Sequence, residues 1–436
     1  MLGLESNDID IALDNMKGAD FAQEVQLLYN ESGQGHSKGF GVIKANPDKS
    51  KHLETATINI EHQWIDFVNL RKEEYTQNSR IPTMEFGTPL EDAMRRDLTI
   101  NSLFYNINLS KVEDFTGRGL DDLKAGIIRT PLKAHQTFLD DPLRILRTFR
   151  FAARYGYIID EEILQALTQH DVLQMLQNKV SKERIGLELE PALSHINCVN
   201  YLNMLYENHL LPVVFSISQK TTDPVSPDDI VATFNKNSRV WNSVLKVADA
   251  HTDLFLKANL ESPGTLRLYL MLSSMLLGFQ NKKYTSSYLF CEHFLKESLK
   301  LKNKISDDVK TILKGVTELQ KFVDTIPATV DEWDIAEQLG MMIREYGVLY
   351  PFAFIIALAE EPKPERLQRL KHFIKIIKDK QIANFNEVKP LLNGNDIMKE
   401  LKVTGKEIKP IADKALKWQI RNPAGTKEDL LKHLKV

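Results

Sequence analysis

Cysteine is nearly absent from this 436-residue chain: Cys198 and Cys291 are its two thiols, far apart and flanked by no zinc-type spacing. A disulfide framework and a structural zinc site are thereby excluded, and a reducing compartment is the default. No run of apolar residues reaches bilayer-spanning length, so no membrane segment is expected. The net charge is small, −3. That removes any global electrostatic argument for nucleic acid, and an RNA-binding surface has to be a local one. No signal peptide is recognisable, yet the chain opens abruptly at Met1-Leu2-Gly3, which leaves room for a presequence or a piece of domain upstream. What is present, 43% hydrophobic and 26% charged residues, supplies core material for two to four domains.

Near the N-terminus, Asn7-Asp8-Ile9-Asp10-Ile11-Ala12-Leu13 alternates acids with aliphatics. In a strand this period sends Asp8 and Asp10 to one face and the aliphatics to the other. Two hard oxygen ligands one strand repeat apart suit Mg²⁺, which favours a few carboxylates together with substrate phosphates. Taken alone, such a pair is more often a solvated strand edge with two stray acids.

A helical pattern follows over Ala19–Leu28. The Gly33, Gly35, Gly39, Gly41 cluster after it is read as a connection, because a phosphate-cradling loop follows a strand and opens a helix. Two strand patterns, 55–60 and 64–70, are expected to pair as a hairpin. Asp66 on the second is either a third acid over the same face or a polar residue on an exposed side. Residues 71–90 show no periodicity and read as a loop, and from about Glu91 the pattern is helical to the end. Lys220–Asn237 reads as a linker. Two late segments are basic: seven Lys/Arg oppose three acids in 361–381, and eleven oppose six in 389–436. These are candidate phosphate-facing helices, or solvated helix faces.

The most informative run is 140–156. Asp141-Pro142 reads as an N-cap with proline at the first helical position, and Gly156 closes the helix. Arg144, Arg147, Arg150 and Arg154 recur at three- and four-residue spacing and share a face, beside an apolar stripe of Leu143, Leu146, Phe149 and Ala153. Four guanidiniums without matching acids repel one another, so an anionic partner would relieve the cost. Asp141 accepts hydrogen bonds and Arg144 donates them. Cytosine and adenine both present an amino donor beside a ring-nitrogen acceptor, whereas uracil and guanine do not. One Asp/Arg pair would accept C and A and reject U and G, or Asp141 is a helix cap and nothing more. In the 91–102 cluster, Arg96 and Asn101 are candidates to face a triphosphate or ribose, or the cluster is no more than a charged helix start. The stretch 112–123 reads as a strand end and glycine turn entering a helix, and Ser181 as the cap of the next one.

In this order, Asp8-x-Asp10, Arg95-Arg96-Asp97-x-Thr99-Ile100-Asn101, Asp114-x-x-Gly117-x-Gly119-x-x-Asp122-Leu123, Asp141-x-x-Arg144-x-x-Arg147-x-x-Arg150 and Glu183-Arg184-Ile185 resemble motifs A to E of the class II tRNA nucleotidyltransferases, the CCA-adding enzymes, in their eukaryotic wording. The resemblance covers roughly the first 190 residues. It implies an α+β architecture, with a small polymerase β-like nucleotidyltransferase head over 1–135 and an all-helical remainder. That remainder would comprise a neck over 136–205, a body over 206–320 and a basic tail for tRNA over 321–436. By the same resemblance Asp8 and Asp10 are catalytic and hold Mg²⁺, and Arg95 or Arg96, with Asp97 and Asn101, meets the nucleotide. Asp141 and Arg144 read the base edge, Arg147 and Arg150 assist, and Asp114, Gly117, Asp122, Glu183 and Arg184 are structural members of their motifs.

The implied partners are tRNA, CTP and ATP; the implied place is intracellular, in cytoplasm, nucleus or mitochondrion; the oligomeric state stays open. In the family a Gly-Gly turn and a Val-Arg-Asp stretch precede the acid pair, and here Leu2-Gly3 is what corresponds to them, so the head is expected to be N-terminally truncated. Asp140 stands where the family pattern commonly has Glu. Two rivals remain: a poly(A) polymerase sharing the head motifs, and a non-catalytic tRNA-binding protein.

Overall fold

A computed structural model describes residues 2–3, 9–32, 40–43, 55–74, 83–216, 225–255, 262–285, 288–327 and 329–435. Asp8 and the 33–39 part of the glycine cluster lie outside the described residues. The chain divides into two compact units, Met1–Ser181 and Lys182–Val436, and the division falls inside the stretch 136–205.

The first unit is built on a four-stranded sheet of β1 (Ile9–Leu13), β2 (Phe40–Ile43), β3 (Thr55–Ile60) and β4 (Gln63–Asn69), in the order β1-β4-β3-β2. β1 runs parallel to β4, and the other pairs are antiparallel. The expected hairpin is β3 and β4. Its two turn residues, Glu61 and His62, both take left-handed backbone with φ of 48° and 69°, the twist that a two-residue hairpin turn requires. Helix α1 (Gly18–Glu31) covers one face, where Ala22, Ala56, Ile58 and Phe67 form a core with Ile11 and Leu13 against it. α1 starts so close to β4 that a Cβ on Gly18 would lie 2.6 Å from the Phe67 carbonyl oxygen.

The stretch 71–90 is not a loop throughout. It contains β5 (Arg71–Glu74) and β6 (Thr83–Phe86), an antiparallel ribbon, followed by α2 (Pro89–Met94) behind a Thr88/Glu91 capping box. Charged residues fill β5, and ion pairs instead of apolar burial hold them in place, so no hydrophobic period marks the strand. The strand end expected at 112 is β8 (Lys111–Asp114), and it pairs with β7 (Leu103–Asn106); the other strands beyond Glu91, short pairs joining 127–128 to 158–159 and 283–285 to 288–289, lie where the pattern reads as helical.

α3 (Gly119–Ala125) and α4 (Ala134–Asp140) lead to α5 (Leu143–Tyr155), which Gly156 ends at φ +68°. Leu143, Leu146, Phe149 and Ala153 are buried, as their stripe requires. The helix begins one residue later than the sequence suggests, with Pro142 at the cap position, and Asp141 Oδ1 still accepts from the Leu143 N–H at 3.2 Å.

The second unit is predominantly helical. Its first helix, Lys182–Ser194, begins directly after Ser181. Lys220–Asn237 is not a linker over its whole length: a helix runs from Pro227 to Ala250, with Ser226 and Asp229 forming a capping box and Pro227 in the first turn. Proline there starts a helix instead of marking a loop. Glu332–Glu360 is long and apolar enough by length and composition to cross a membrane, but 67% of its apolar window is buried within the protein. Positive φ at Gly347 interrupts it between the helices Glu332–Tyr346 and Tyr350–Glu360. This is the core of the unit, which explains its hydrophobicity.

Gly186 tests the packing directly, since a Cβ there would lie 2.2 Å from the Leu299 carbonyl oxygen. Gly186→Ala is expected to lower stability by about 1–3 kcal/mol, read as an earlier denaturation midpoint. An unchanged midpoint would contradict this close approach.

Candidate active site

The sheet turns one face away from α1. Ile11, Phe67 and Ala56 are neighbours in register on the core side, so Asp10, Asp66 and Thr57, also neighbours in register, occupy the opposite face. The sequence leaves the side of Asp66 open, and the parallel pairing of β1 and β4 puts it beside Asp10. Adjacent strands lie about 4.8 Å apart, so two such carboxylates are spaced to share a hard cation. The Thr57 hydroxyl donates to Asp66 Oδ1 at 2.7 Å, which orients the carboxylate and leaves Oδ2 outside that bond. Among the described residues no cluster of three or more His, Cys, Asp or Glu is positioned for a metal.

Six of the other functional candidates, Asp141 and Arg150 not among them, converge through a chain of largely charge-assisted hydrogen bonds. Asp92 is 1% exposed and receives Nε of Arg95 and Nε of Arg96, both at 2.9 Å, as well as the Arg71 N–H at 3.2 Å. Glu73, from β5, binds Arg95 Nη1 at 3.1 Å and Arg71 Nε at 2.9 Å, and its other oxygen lies 3.9 Å from Arg144 Nη2. That same Arg144 nitrogen donates to the Arg95 carbonyl at 2.7 Å. Arg96 Nη1 donates to the Asn101 carbonyl at 2.9 Å, and its guanidinium covers the Phe104 ring. The Asn101 amide donates to Asp97, whose second oxygen receives Arg147 Nε at 2.7 Å. Arg95, Arg96, Asp97, Asn101, Arg144 and Arg147 therefore form one connected wall.

This corrects the expectation of an arginine face without matching acids: Asp97 and Glu73 supply them from elsewhere in the first unit. The sequence reading missed both Glu73 and Asp92. Asp92 had a visible signal, standing three and four residues before Arg95 and Arg96 at helical spacing. Glu73, inside a run read as loop, had none.

Asp97 sits at the middle of the wall. Burial alone would raise its carboxyl pKa, but the Arg147 charge and hydrogen bond, the Asn101 amide and the Arg144 charge outweigh burial and hold it below the ordinary 3.8. At Asp140 burial prevails over the Gln136 bond and the Arg144 charge, and its pKa is raised. Arg150 lies over the Phe151 ring at 4.4 Å.

Of the motif residues expected to be structural, Asp114, Gly117 and Asp122 have evident partners. Asp114 accepts from the N–H groups of Thr116, Gly117 and Leu120 and from the Thr116 hydroxyl, closing the glycine turn, with Gly117 at φ +69°. These bonds outweigh burial and lower its pKa. Asp122 holds the Thr99 hydroxyl at 2.7 Å and pairs with Arg129. Glu183 and Arg184 belong to the second unit, at the start of Lys182–Ser194.

Of the two basic segments, 361–381 spends much of its charge within the fold. Arg366 pairs with Asp324 and Glu361, Arg369 binds the Val323 and Ile326 carbonyls, Lys378 meets Asp253 and Lys380 meets Glu332. In 389–435, Arg421 pairs with Asp334 and Glu337 and Lys427 with Asp396, while exposed Lys402, Lys414 and Lys435 and the carboxylate residue Glu400 rim a cavity of about 360 Å³ lined by Leu401, Val403, Ile411 and Leu434.

Comparison with known proteins places these features. Residues 1–129 match the family model of the poly A polymerase head domain. Over its full length the chain is 34% identical to the mitochondrial CCA tRNA nucleotidyltransferase of Saccharomyces cerevisiae, the match covering 100% of this chain and 85% of the relative. It is 32% identical to tRNA nucleotidyltransferase cca1 of Schizosaccharomyces pombe, over 99% and 88% of the two chains. Among solved structures, a CCA-adding enzyme in apo form II superposes with a TM-score of 0.65 at 19% identity, covering 100% of this chain and 88% of that one. That likeness is one of fold, and it spans both units.

The depressed pKa of Asp97 is a source of stability that is present above the unfolded value, about 3.9, and is lost as pH falls through the folded one. Asp97→Asn is expected to cost about 2–3 kcal/mol at neutral pH, with the deficit against the unsubstituted protein shrinking below pH ~4. Denaturation followed across pH checks this, and a pH-independent deficit would contradict it.

Proposed function

Since the chain belongs to the CCA tRNA nucleotidyltransferases, we propose that it adds or repairs the 3′-terminal C-C-A of tRNA, transferring CMP and AMP from CTP and ATP with release of pyrophosphate. The observation that carries the chemistry is the acidic sheet face, with Asp10 and Asp66 in register beside each other and turned away from the core. A poly(A) polymerase would share the head, but the head model accounts for residues 1–129 whereas the likeness to CCA enzymes runs through the whole chain. A non-catalytic tRNA binder would have no need of paired carboxylates there.

Nucleotidyltransferases of this family depend on a divalent metal. The donor set suits Mg²⁺: hard carboxylate oxygens on adjacent strands, from Asp10 and Asp66, with Asp8 assigned to the same role by its motif. Such an ion, when bound, lowers the pKa of the tRNA 3′-hydroxyl and neutralises charge on the triphosphate. The arginine wall supplies the complementary sign. Arg95 is gripped by two carboxylates and less exposed than Arg96, 17% against 30% of the side chain. This supports assigning the nucleotide contact to Arg96 and the bracing of the wall to Arg95.

Asp141 accepts from the exocyclic amino group of C or A, and Arg144 donates to the neighbouring ring acceptor. Arg144 is anchored by the Arg95 carbonyl and Glu73, so it does not re-aim to suit a wrong base. U or G would leave buried polar groups unpaired, which is the source of discrimination. Arg147 and Arg150, farther along α5, assist at base or phosphates. We assign 1–135 to the nucleotidyltransferase head, 136–205 to the neck, 206–320 to the body and 321–436 to the tRNA-gripping tail. We place the protein inside the cell, in cytoplasm, nucleus or mitochondrion.

Incubated with a tRNA lacking its last three nucleotides, CTP, ATP and Mg²⁺, the chain is expected to extend it by C-C-A and stop. Long A tails, or no extension where a relative extends, would overturn the reading. In the same assay Asp10→Ala is expected to reduce the rate by about 10³-fold or more with tRNA binding retained.

A further inference from the structure

α5 continues past the base-reading residues as a ladder of arginines and aromatic rings. Arg147 and Arg150 lie over the Phe151 ring, at 5.6 and 4.4 Å from its centroid. Phe151 stacks on Tyr155 with centroids 5.9 Å apart and planes inclined by 19°, and Arg154 lies 5.6 Å from the Tyr155 centroid. The ladder ends at Tyr157, whose ring packs on Tyr155 and whose hydroxyl donates to the Leu123 carbonyl. The opposite side of the same helix is core, formed by Ile145, Leu146, Phe149, Ala152 and Ala153. Arg154 is exposed, and Arg150, Phe151 and Tyr155 are half-buried. Large rings left partly open on a surface, each carrying guanidinium groups, are not what core packing requires.

We infer that this face of α5, centred on Arg154 and Tyr155, is a stacking platform for the single-stranded 3′ end of the tRNA that is being extended. Three observations on this helix support that occupant. The rings hold flat cations beside flat apolar surfaces, the combination on which unpaired bases stack while their phosphates are neutralised. The ladder is continuous with the wall, since Arg147 joins Asp97 at one edge and Phe151 at its face. Its length also fits: the helix rises about 12 Å from Arg147 to Tyr155, close to the span of three nucleotides at roughly 3.4 Å each. A single nucleoside triphosphate at the Asp141–Arg144 end would leave most of this surface unused. The platform tolerates any base, as it must if the terminus changes with each addition, because stacking reads the π face and not the hydrogen-bonding edge. The inference rests on the CCA-adding reading and concerns how the acceptor strand is held.

The test uses the full chain and a tRNA that ends just before C-C-A, with 2-aminopurine as its last nucleotide. Binding to the unsubstituted protein is expected to quench the fluorescence through stacking. Tyr155→Ala is expected to lose most of that quench and to raise KM for tRNA about 10-fold, with KM for CTP unchanged within about twofold. Tyr155→Phe, which keeps the ring, is expected to restore both, and the exposed Arg154→Met to give an intermediate loss while the fold is undisturbed. Unchanged quench and KM for tRNA in Tyr155→Ala, or an increase confined to KM for CTP, would overturn the platform. If the unsubstituted protein quenched the probe but added no nucleotide, the enzymatic reading would fail and the platform would stand. If it added nucleotides but Tyr155→Ala behaved identically, the platform alone would fail.

Discussion

Two buried carboxylates, Asp92 and Glu73, allow Arg95, Arg96 and Arg144 to converge in one wall with Arg71 behind them. Asp92 takes Arg95 and Arg96, Glu73 takes Arg71 and Arg95, and Arg144 is reached through the Arg95 carbonyl with Glu73 nearby. Without these acids the guanidiniums would repel, and with one of them removed a charge would stay buried and uncompensated, which is the costly way to break such a network. The position of Arg144 is therefore a property of the network and not of α5 alone. A template-free enzyme has to choose bases with protein groups, so the rigidity of those groups sets its accuracy.

The chain order builds the two halves of the site next to each other. β4 carries Asp66, and β5, which follows at once, carries Glu73. The Leu70 N–H between them donates to the Leu13 carbonyl at the end of β1, and the Gly87 N–H returns to the Leu70 carbonyl, both at 3.0 Å. The acidic face and the arginine wall are thus tied through a few backbone bonds at Leu70. One suits a cation, the other the anions it accompanies. In-line transfer at a phosphate needs chiefly positioning and charge compensation, and these two surfaces offer both.

What could be read in the sequence was whatever repeats locally. The alternation in β1, the β3–β4 hairpin, the buried stripe of α5 and its stop at Gly156 all follow from periods and turn chemistry within a few residues. What could not be read depends on partners far along the chain. Asp66 was ambiguous because a period assigns faces within a strand, while the register with β1 decides which acids are neighbours. The arginines of α5 read as unbalanced because Asp97 lies 50 residues from Arg147, just as Glu73 lies 22 from Arg95. β5 has no apolar rhythm because ion pairs fix it. Pro227 was misread because proline marks both loops and first turns. Asp8 lies outside the described residues, so the acid pair is represented by Asp10, with Asp66 as an added neighbour.

The central claim is that buried acids hold Arg144, the arginine proposed to read the base, in place. Its most direct measurement is the ratio of kcat/KM for CTP to that for UTP in Glu73→Gln, which removes charge but keeps shape. The account predicts that this ratio falls by about 10-fold, corresponding to roughly 1.4 kcal/mol of lost discrimination, while tRNA binding is unaffected. An unchanged ratio in a folded, active Glu73→Gln protein would contradict it.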